Sequence, residues 1–332
     1  MNSRFLVLLA GIASALAVGV PPARAADWPA HLGDSRRSAS TDEKLEPPLS
    51  EVWAHRARHA PRPAWPLPAG QDFSHGGQKL EARAAFDRVD HPVAGGGRVF
   101  LGSSADGAVR CLEVKTGEVR WTFFTEGPVR LAPFLTGEKV LFGSDDGCVY
   151  CLKAASGELV WKYRPFDEDR RLPGNGRMIS LRPVRSGVLV EDGRACACAG
   201  IFPSRGVRLF ALDVATGEEV WKRDVRVSAQ GELASDGKRL FVPTGRTGPA
   251  AFDLKTGKDL RVDCYQGAGT RLAVAPFGGL IFQRTRYGHA LGFEGDIPRP
   301  RWTELQHKVD AYISRLNGIF NNLVDKEGID LY

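Results

Sequence analysis

Two groups of residues in this chain have the types and grouping to do chemistry at one place. Asp106, Asp145 and Asp146 stand in turns that end in Gly107 or Gly147. Further along comes Arg164-Pro-Phe-Asp-Glu-Asp-Arg-Arg-Leu-Pro-Gly-Asn-Gly-Arg177, with Arg182 and Arg185 just after it. A guanidinium offers a planar fork of donors, so Arg170, Arg171 and Arg177 could hold an anionic group or an acidic peptide. Asp167, Glu168 and Asp169 sit among these arginines, and a solvated loop of self-paired charges is the competing reading. The candidate ligand face drawn from these groups is Asp145, Asp146, Arg170, Arg171, Asn175, Arg177 and Arg182. No catalytic, metal or cofactor residue is assigned. His55, His59, His75 and His91 lie without ligand spacing.

A recurring phrase supplies the elements that must position them. Cys111-Leu-Glu-Val-Lys-Thr-Gly-Glu-Val-Arg-Trp121 returns as Cys151-Leu-Lys-Ala-Ala-Ser-Gly-Glu-Leu-Val-Trp161 and as Ala211-Leu-Asp-Val-Ala-Thr-Gly-Glu-Glu-Val-Trp221. A fourth copy runs Ala251-Phe-Asp-Leu-Lys-Thr-Gly-Lys-Asp-Leu-Arg261. A repeat of this length with strand-like content predicts an all-β chain folded as a β-propeller. In the second copy, residues 128–134, 139–143, 148–152 and 159–163 read as four short strands of an antiparallel meander.

Full blades are predicted over 92–124, 128–163, 179–225 and 230–262, with a partial fifth over 270–293. Leu49-Ser-Glu-Val-Trp53-Ala reads as a spare outer strand. It either completes a five-bladed ring or is left over on an open arc. Gly117, Gly157, Gly217 and Gly257 mark tight turns that need positive φ, and Trp121, Trp161 and Trp221 offer apolar faces between blades. These are building parts. Loops from the second to the third strand, and from one blade into the next, open on one face, which gathers the aspartates and the arginine run.

Six cysteines fit the same frame. Cys111 and Cys151 fill the slot of Ala211 and Ala251, which wants a small buried residue. Cys148 and Cys151, three apart on a strand, face opposite sides, so neither a zinc site nor a redox turn fits. Cys196 and Cys198 share a face within an apparent strand.

The ends read differently from the middle. Arg4, an apolar run over 5–20 and Ala23-Arg24-Ala25 make residues 1–25 a signal peptide. The expectation is an exported chain, periplasmic or extracellular in a bacterium, with no transmembrane segment once mature. Residues 26–48 form an N-terminal extension, and 49–91 include an irregular Pro-rich segment with Pro61, Pro63, Pro66 and Pro68. A formal charge of +6 over 332 residues is mild and does not indicate nucleic acid. Over 294–332, Trp302, Leu305, Val309, Tyr312, Leu316 and Leu323 trace the apolar stripe of a C-terminal α-helix.

The Leu-Asp-Val-Ala-Thr-Gly-Glu-Glu-Val-Trp phrase and the Gly-Ser-Asp-Asp-Gly turn resemble pyrroloquinoline-quinone-like (PQQ-like) propeller repeats. Such repeats build quinoprotein dehydrogenases and the propeller subunit of the outer-membrane β-barrel assembly machinery. The resemblance covers residues 49–293. It implies an eight-bladed ring, an adjacent cysteine pair and a calcium site with a catalytic aspartate in the dehydrogenases. This chain departs from that with Cys196-Ala-Cys198, fewer blades and no matching acidic set. Asp310-Ala-Tyr-Ile-Ser-Arg-Leu-Asn317 is similar to a flavin-domain helix of glutathione reductases, implying a joined or truncated chain. Neither the dinucleotide-binding glycine turn nor a C-x-x-x-x-C pair accompanies it. The reading is an exported, non-catalytic β-propeller scaffold that binds a protein or peptide partner on its face, without a cofactor. The alternatives are a quinone-dependent oxidoreductase and a fragment of a flavin disulfide reductase.

Overall fold

Short apolar runs that end at glycine or aspartate fold, in the computed structural model, into successive antiparallel sheets. The structure describes residues 27–44, 47–64, 87, 89–174, 176–244, 249–261, 272–274 and 280–282. The first sheet orders β1 (Val93–Gly95), β2 (Arg98–Ser103), β3 (Ala108–Glu113) and β4 (Val119–Phe124) as a simple meander. The second repeats it with β5 (Phe134–Thr136), β6 (Lys139–Gly143), β7 (Val149–Lys153) and β8 (Leu159–Tyr163). A hairpin of β9 (Arg171–Gly174) and β10 (Arg177–Ser180) intervenes. The third sheet is β11 (Leu189–Glu191), β12 (Arg194–Ala199), β13 (Val207–Asp213) and β14 (Glu219–Val225). Then come β15 (Ala234–Ser235), β16 (Arg239–Val242) and β17 (Ala250–Asp253), and the pair β18 (Leu272–Val274) with β19 (Leu280–Phe282). The fold is a β-propeller.

Among the described residues, three apolar cores lie between the first four sheets. Phe100, Val109 and Cys111 of the first sheet pack against Val140, Phe142 and Leu152 of the second. Leu141, Cys151 and Trp161 meet Ala197, Phe210 and Leu212 of the third. Leu209, Ala211 and Trp221 meet Leu240, Val242 and Phe252 of the fourth. Cys148 and Cys151 thus face opposite interfaces, while Cys196 and Cys198 share one, as period-two alternation requires.

The phrase that recurs in sequence does one mechanical job. Trp121, Trp161 and Trp221 pair across the ladder with Cys111, Cys151 and Ala211, beside the same bulge in each sheet. Each indole lies over the turn glycine of the next blade. A Cβ added at Gly157, Gly217 or Gly257 would come within 2.5–2.6 Å of Trp121, Trp161 or Trp221, and all three glycines have φ between 68° and 77°. Trp121 and Trp161 donate Nε1–H to the carbonyls of Ala154 and Val214. Trp53 takes the matching place on the first blade: its ring lies 2.6 Å from a Cβ on Gly117, and it donates to the Val114 carbonyl at 2.8 Å.

Several boundaries differ from those read in sequence. The expected outer strand at 49–54 carries no ladder among the described residues, and Leu49 and Val52 are exposed; only Trp53 is docked. The first strand of the second blade starts at Phe134 rather than 128. The backbone before it is engaged elsewhere, with Val129 N–H bonded to Ser103 and Ala132 N–H to the Glu232 carboxylate. The third blade begins at Leu189, ten residues late, because 177–180 pairs into the inserted hairpin. The fourth sheet has three described strands, with Asp259 bridging Phe252 at its outer edge. The expected signal peptide, the end of the fifth blade, the C-terminal helix and Asn175 lie outside the described residues. No helix among those described is long and apolar enough to cross a membrane.

The N-terminal extension lies across the ends of the inner strands. Trp28 pairs with Ala94, Pro29 accepts from Leu135, and Ser35 donates its hydroxyl to Val190. Ser35 also accepts from Ser235, and Arg36 accepts from Val274. One ten-residue segment therefore touches the inner strands of five successive blades. Arg37, fully buried, anchors it by donating to the Leu233, His31 and Asp34 carbonyls, with Glu232 at 3.5 Å.

Candidate functional site

The inner strands are entered through loops on the opposite face from the N-terminal segment, and there the repeats place charge. Pro128-Val-Arg130 and Pro183-Val-Arg185 occupy equivalent positions ahead of β5 and β11, so two arginines project from neighbouring blades. Asp145, in the turn between β6 and β7, receives both. Arg130 Nε donates to it at 2.6 Å, and Arg185 donates through Nε at 2.9 Å and Nη2 at 3.0 Å. All three side chains are at most 4% exposed. Burial alone would raise the Asp145 pKa, but the guanidinium groups of Arg185 and Arg130 hold it below its ordinary value.

Arg130 has a second set of partners. Its Nη1 donates to the Arg62 carbonyl at 2.6 Å and lies 3.4 Å from Asp87. Asp87 accepts the Ala64 N–H at 2.5 Å, and Ser104 Oγ accepts the Arg62 N–H at 2.8 Å. Residues 62–64 are thus bonded to the face through their backbone. On their far side, Arg62 lies against the turn of the inserted hairpin at Gly176. The second oxygen of Asp87 and Nε of Arg177 are buried without a hydrogen-bond partner among the described residues.

The residues singled out in sequence divide into a core and a rim. Asp145 is the centre of the buried cluster. Asp146, its neighbour, is turned into the blade: it accepts from Tyr150 Oη and from the Cys148 and Glu126 amides. The arginine run pairs with its own acids. Arg171 bonds Asp169 and Glu126, Arg164 bonds Asp169, and Arg170 and Arg182 each stand 3.6 Å from Glu168. Arg182 and Arg208 also lie over the Phe166 ring, at 4.4 and 4.2 Å from its centroid. Arg177 sits at the hairpin turn. Asp106 is held by Arg110. Sequence reasoning passed over Arg130, Ser104 and Asp87; the repeated Pro-Val-Arg was the available signal for the first.

The five described cysteines are buried and offer no nucleophile here. Cys196 and Cys148 are pushed by burial to about 12, and Cys111 and Cys151 to about 11. Among the described residues no group of three or more His, Cys, Asp or Glu could hold a metal ion. A cleft of about 880 Å³ opens elsewhere, between the third and fourth sheets at Arg223, Val225, Phe252 and Lys258; none of the face residues borders it.

A family profile described as outer membrane protein assembly factor BamB matches residues 51–190 and 180–317. No curated protein matches the chain. Among solved structures, the quinohemoprotein alcohol dehydrogenase from Comamonas testosteroni aligns at 16% identity with a TM-score of 0.52. The alignment covers 82% of this chain and 49% of that one. BamB from Moraxella catarrhalis aligns at 19% identity and TM-score 0.42, over 67% of this chain and 69% of that one. The quinohemoprotein alcohol dehydrogenase ADHIIG from Pseudomonas putida HK5 gives 14% and 0.46, over 63% and 42%. This chain thus spans less than half the length of either dehydrogenase, and the likeness is one of fold.

Proposed function

The chain belongs to the BamB family of PQQ-like propellers, and from that membership we propose that it is an exported, non-catalytic scaffold that binds a protein partner of outer-membrane assembly. The observation that carries the reading is the state of the face. Its central carboxylate, Asp145, is buried and engaged by two arginines, so it is poorly suited to abstract a proton or to join a cation. What the face does engage is peptide backbone, through Ser104, Arg130 and Asp87.

Among the described residues, the cysteines and aspartates that could serve a quinone are engaged elsewhere, which supports this reading. Cys196 and Cys198 lie inside the interface of the third and fourth sheets, spaced as i and i+2 on one strand. Asp145 and Asp146 are committed to protein partners. Two experiments test the reading. Photo-crosslinking from the rim, with a crosslinker at Arg170, should capture a partner of the outer-membrane assembly machinery in cells. Titration of the purified chain with pyrroloquinoline quinone and calcium should leave no bound-cofactor absorbance; saturable binding with dye reduction would favour the oxidoreductase instead.

A further inference from the structure

Residues 61–64, the described part of the Pro-rich segment, are bonded in a pattern that specifies a ligand. Proline has no amide hydrogen, so Pro61 and Pro63 remove the donors at alternate positions. The two amides left, Arg62 and Ala64, are the ones the face accepts, at Ser104 Oγ and Asp87 Oδ2. Arg130 takes the intervening carbonyl of Arg62 at 2.6 Å. Both prolines thus fall where these contacts ask for no donor. Proline also pre-sets the extended conformation, so such a segment loses little chain entropy on docking.

Buried polar atoms at the segment's anchor and at the hairpin turn keep spare capacity. Asp87 Oδ1 is an unused acceptor and Arg177 Nε an unused donor among the described residues. The hairpin of β9 and β10 stands over the segment at Gly176, making the second wall of a slot whose floor is the Arg130–Asp145–Arg185 cluster.

We infer that this slot is a binding site for extended peptides with proline at alternate positions, and that residues 61–64 occupy it as a resident ligand which a partner's Pro-x-Pro segment displaces. The inference rests on the reading that this face takes a protein partner, and it names the chemistry of the contact. Recognition runs through backbone groups and proline geometry, the mode by which polyproline segments are bound generally.

The test uses the full chain and a fluorescein-labelled peptide spanning residues 59–66. In one variant, residues 60–64 are replaced by glycine and serine at equal length, freeing the slot. Fluorescence anisotropy should show saturable binding to this variant at least tenfold tighter than to the intact chain. Adding Ser104→Ala should weaken it about fivefold, the worth of one hydrogen bond. Equal affinity for both chains, or no binding to a freed variant whose near-ultraviolet circular dichroism and melting match the intact chain, would overturn the inference. If freeing the segment unfolds the protein, hydrogen exchange on the intact chain decides. The Arg62 and Ala64 amides should exchange at least 100-fold faster than those of β6, by local opening; equal rates would mean a fixed structural strap and end the proposal. Crosslinking of the partner through the intact rim, with the peptide unbound, would overturn this inference alone and leave the scaffold reading standing.

Discussion

Replacing Asp145 with alanine should be the most damaging single change on the face, and the structure sets its size. The carboxylate is fully buried and neutralises two guanidiniums that are 4% and 1% exposed. Removing one partner of a buried pair costs about 3–5 kcal/mol, because a charge is left without compensation in a poorly solvating site. Arg130 retains Asp87 at 3.4 Å and the Arg62 carbonyl, so part of the loss is offset there. We expect about 3–4 kcal/mol, a large share of the ~5–15 kcal/mol by which domains are stable. With a urea slope of about 2–3 kcal/mol/M, the midpoint followed by tryptophan fluorescence should fall by at least ~1 M. The double variant Asp145→Ala/Arg185→Met also removes one of the two buried guanidiniums that faced the lost carboxylate and should regain at least ~1 kcal/mol over the single. A single variant within about 0.3 M of the parent, or a double variant no more stable than the single, would refute the reasoning.

Three further outcomes follow from the same geometry. The folded-state pKa of Asp145 lies below its ordinary 3.8, so its stabilisation is present above that pH and lost as the pH falls through the folded value. Urea midpoints between pH 5 and 2 should therefore fall more steeply in the parent than in Asp145→Ala. Gly217→Ala should lower stability by about 2–3 kcal/mol, since it adds a clash with Trp161 to a φ of 77°. Gly237→Ala, at φ 86° with open space around the new Cβ, should cost only about 1 kcal/mol in the same thermal melts. Cys111, Cys148, Cys151, Cys196 and Cys198 are buried, and peptide mapping after iodoacetamide at pH 8 should find them unlabelled in the native protein and labelled in urea.

What was legible in the sequence was the part of each blade made by neighbours in the chain. The Thr-Gly-Glu turn and the tryptophan four residues after its glycine define an outer hairpin by themselves, and their recurrence gave the architecture. The inserted hairpin was nearly as local: Gly174-Asn-Gly176 between two short runs is a turn signal, but it was absorbed into a loop. The face was harder, because its contacts join residues far apart. Arg185 reaches Asp145 across 40 positions, Arg130 reaches Arg62 across 68, and Ala64 reaches Asp87 across 23. Nothing in local pattern says that a proline-rich stretch will lie on a distant arginine. The arginines of the 164–177 run stand out in the sequence above Arg130 and Arg185, yet Arg170 and Arg171 spend their charge on adjacent acids.

The extension at residues 28–37 also bears on the order in which the molecule can assemble. These residues are synthesised well before their partners: Arg37 waits 196 residues for the Leu233 carbonyl, and Arg36 waits longer still for Val274. Until the fifth inner strand exists, the hub has no plug, and the edges it will cover stay open to other chains. Local hairpins can form as they emerge, but the closing contacts span most of the chain and carry the entropy of long loops. The seating of this early segment therefore has to follow the making of strands that come some two hundred residues after it.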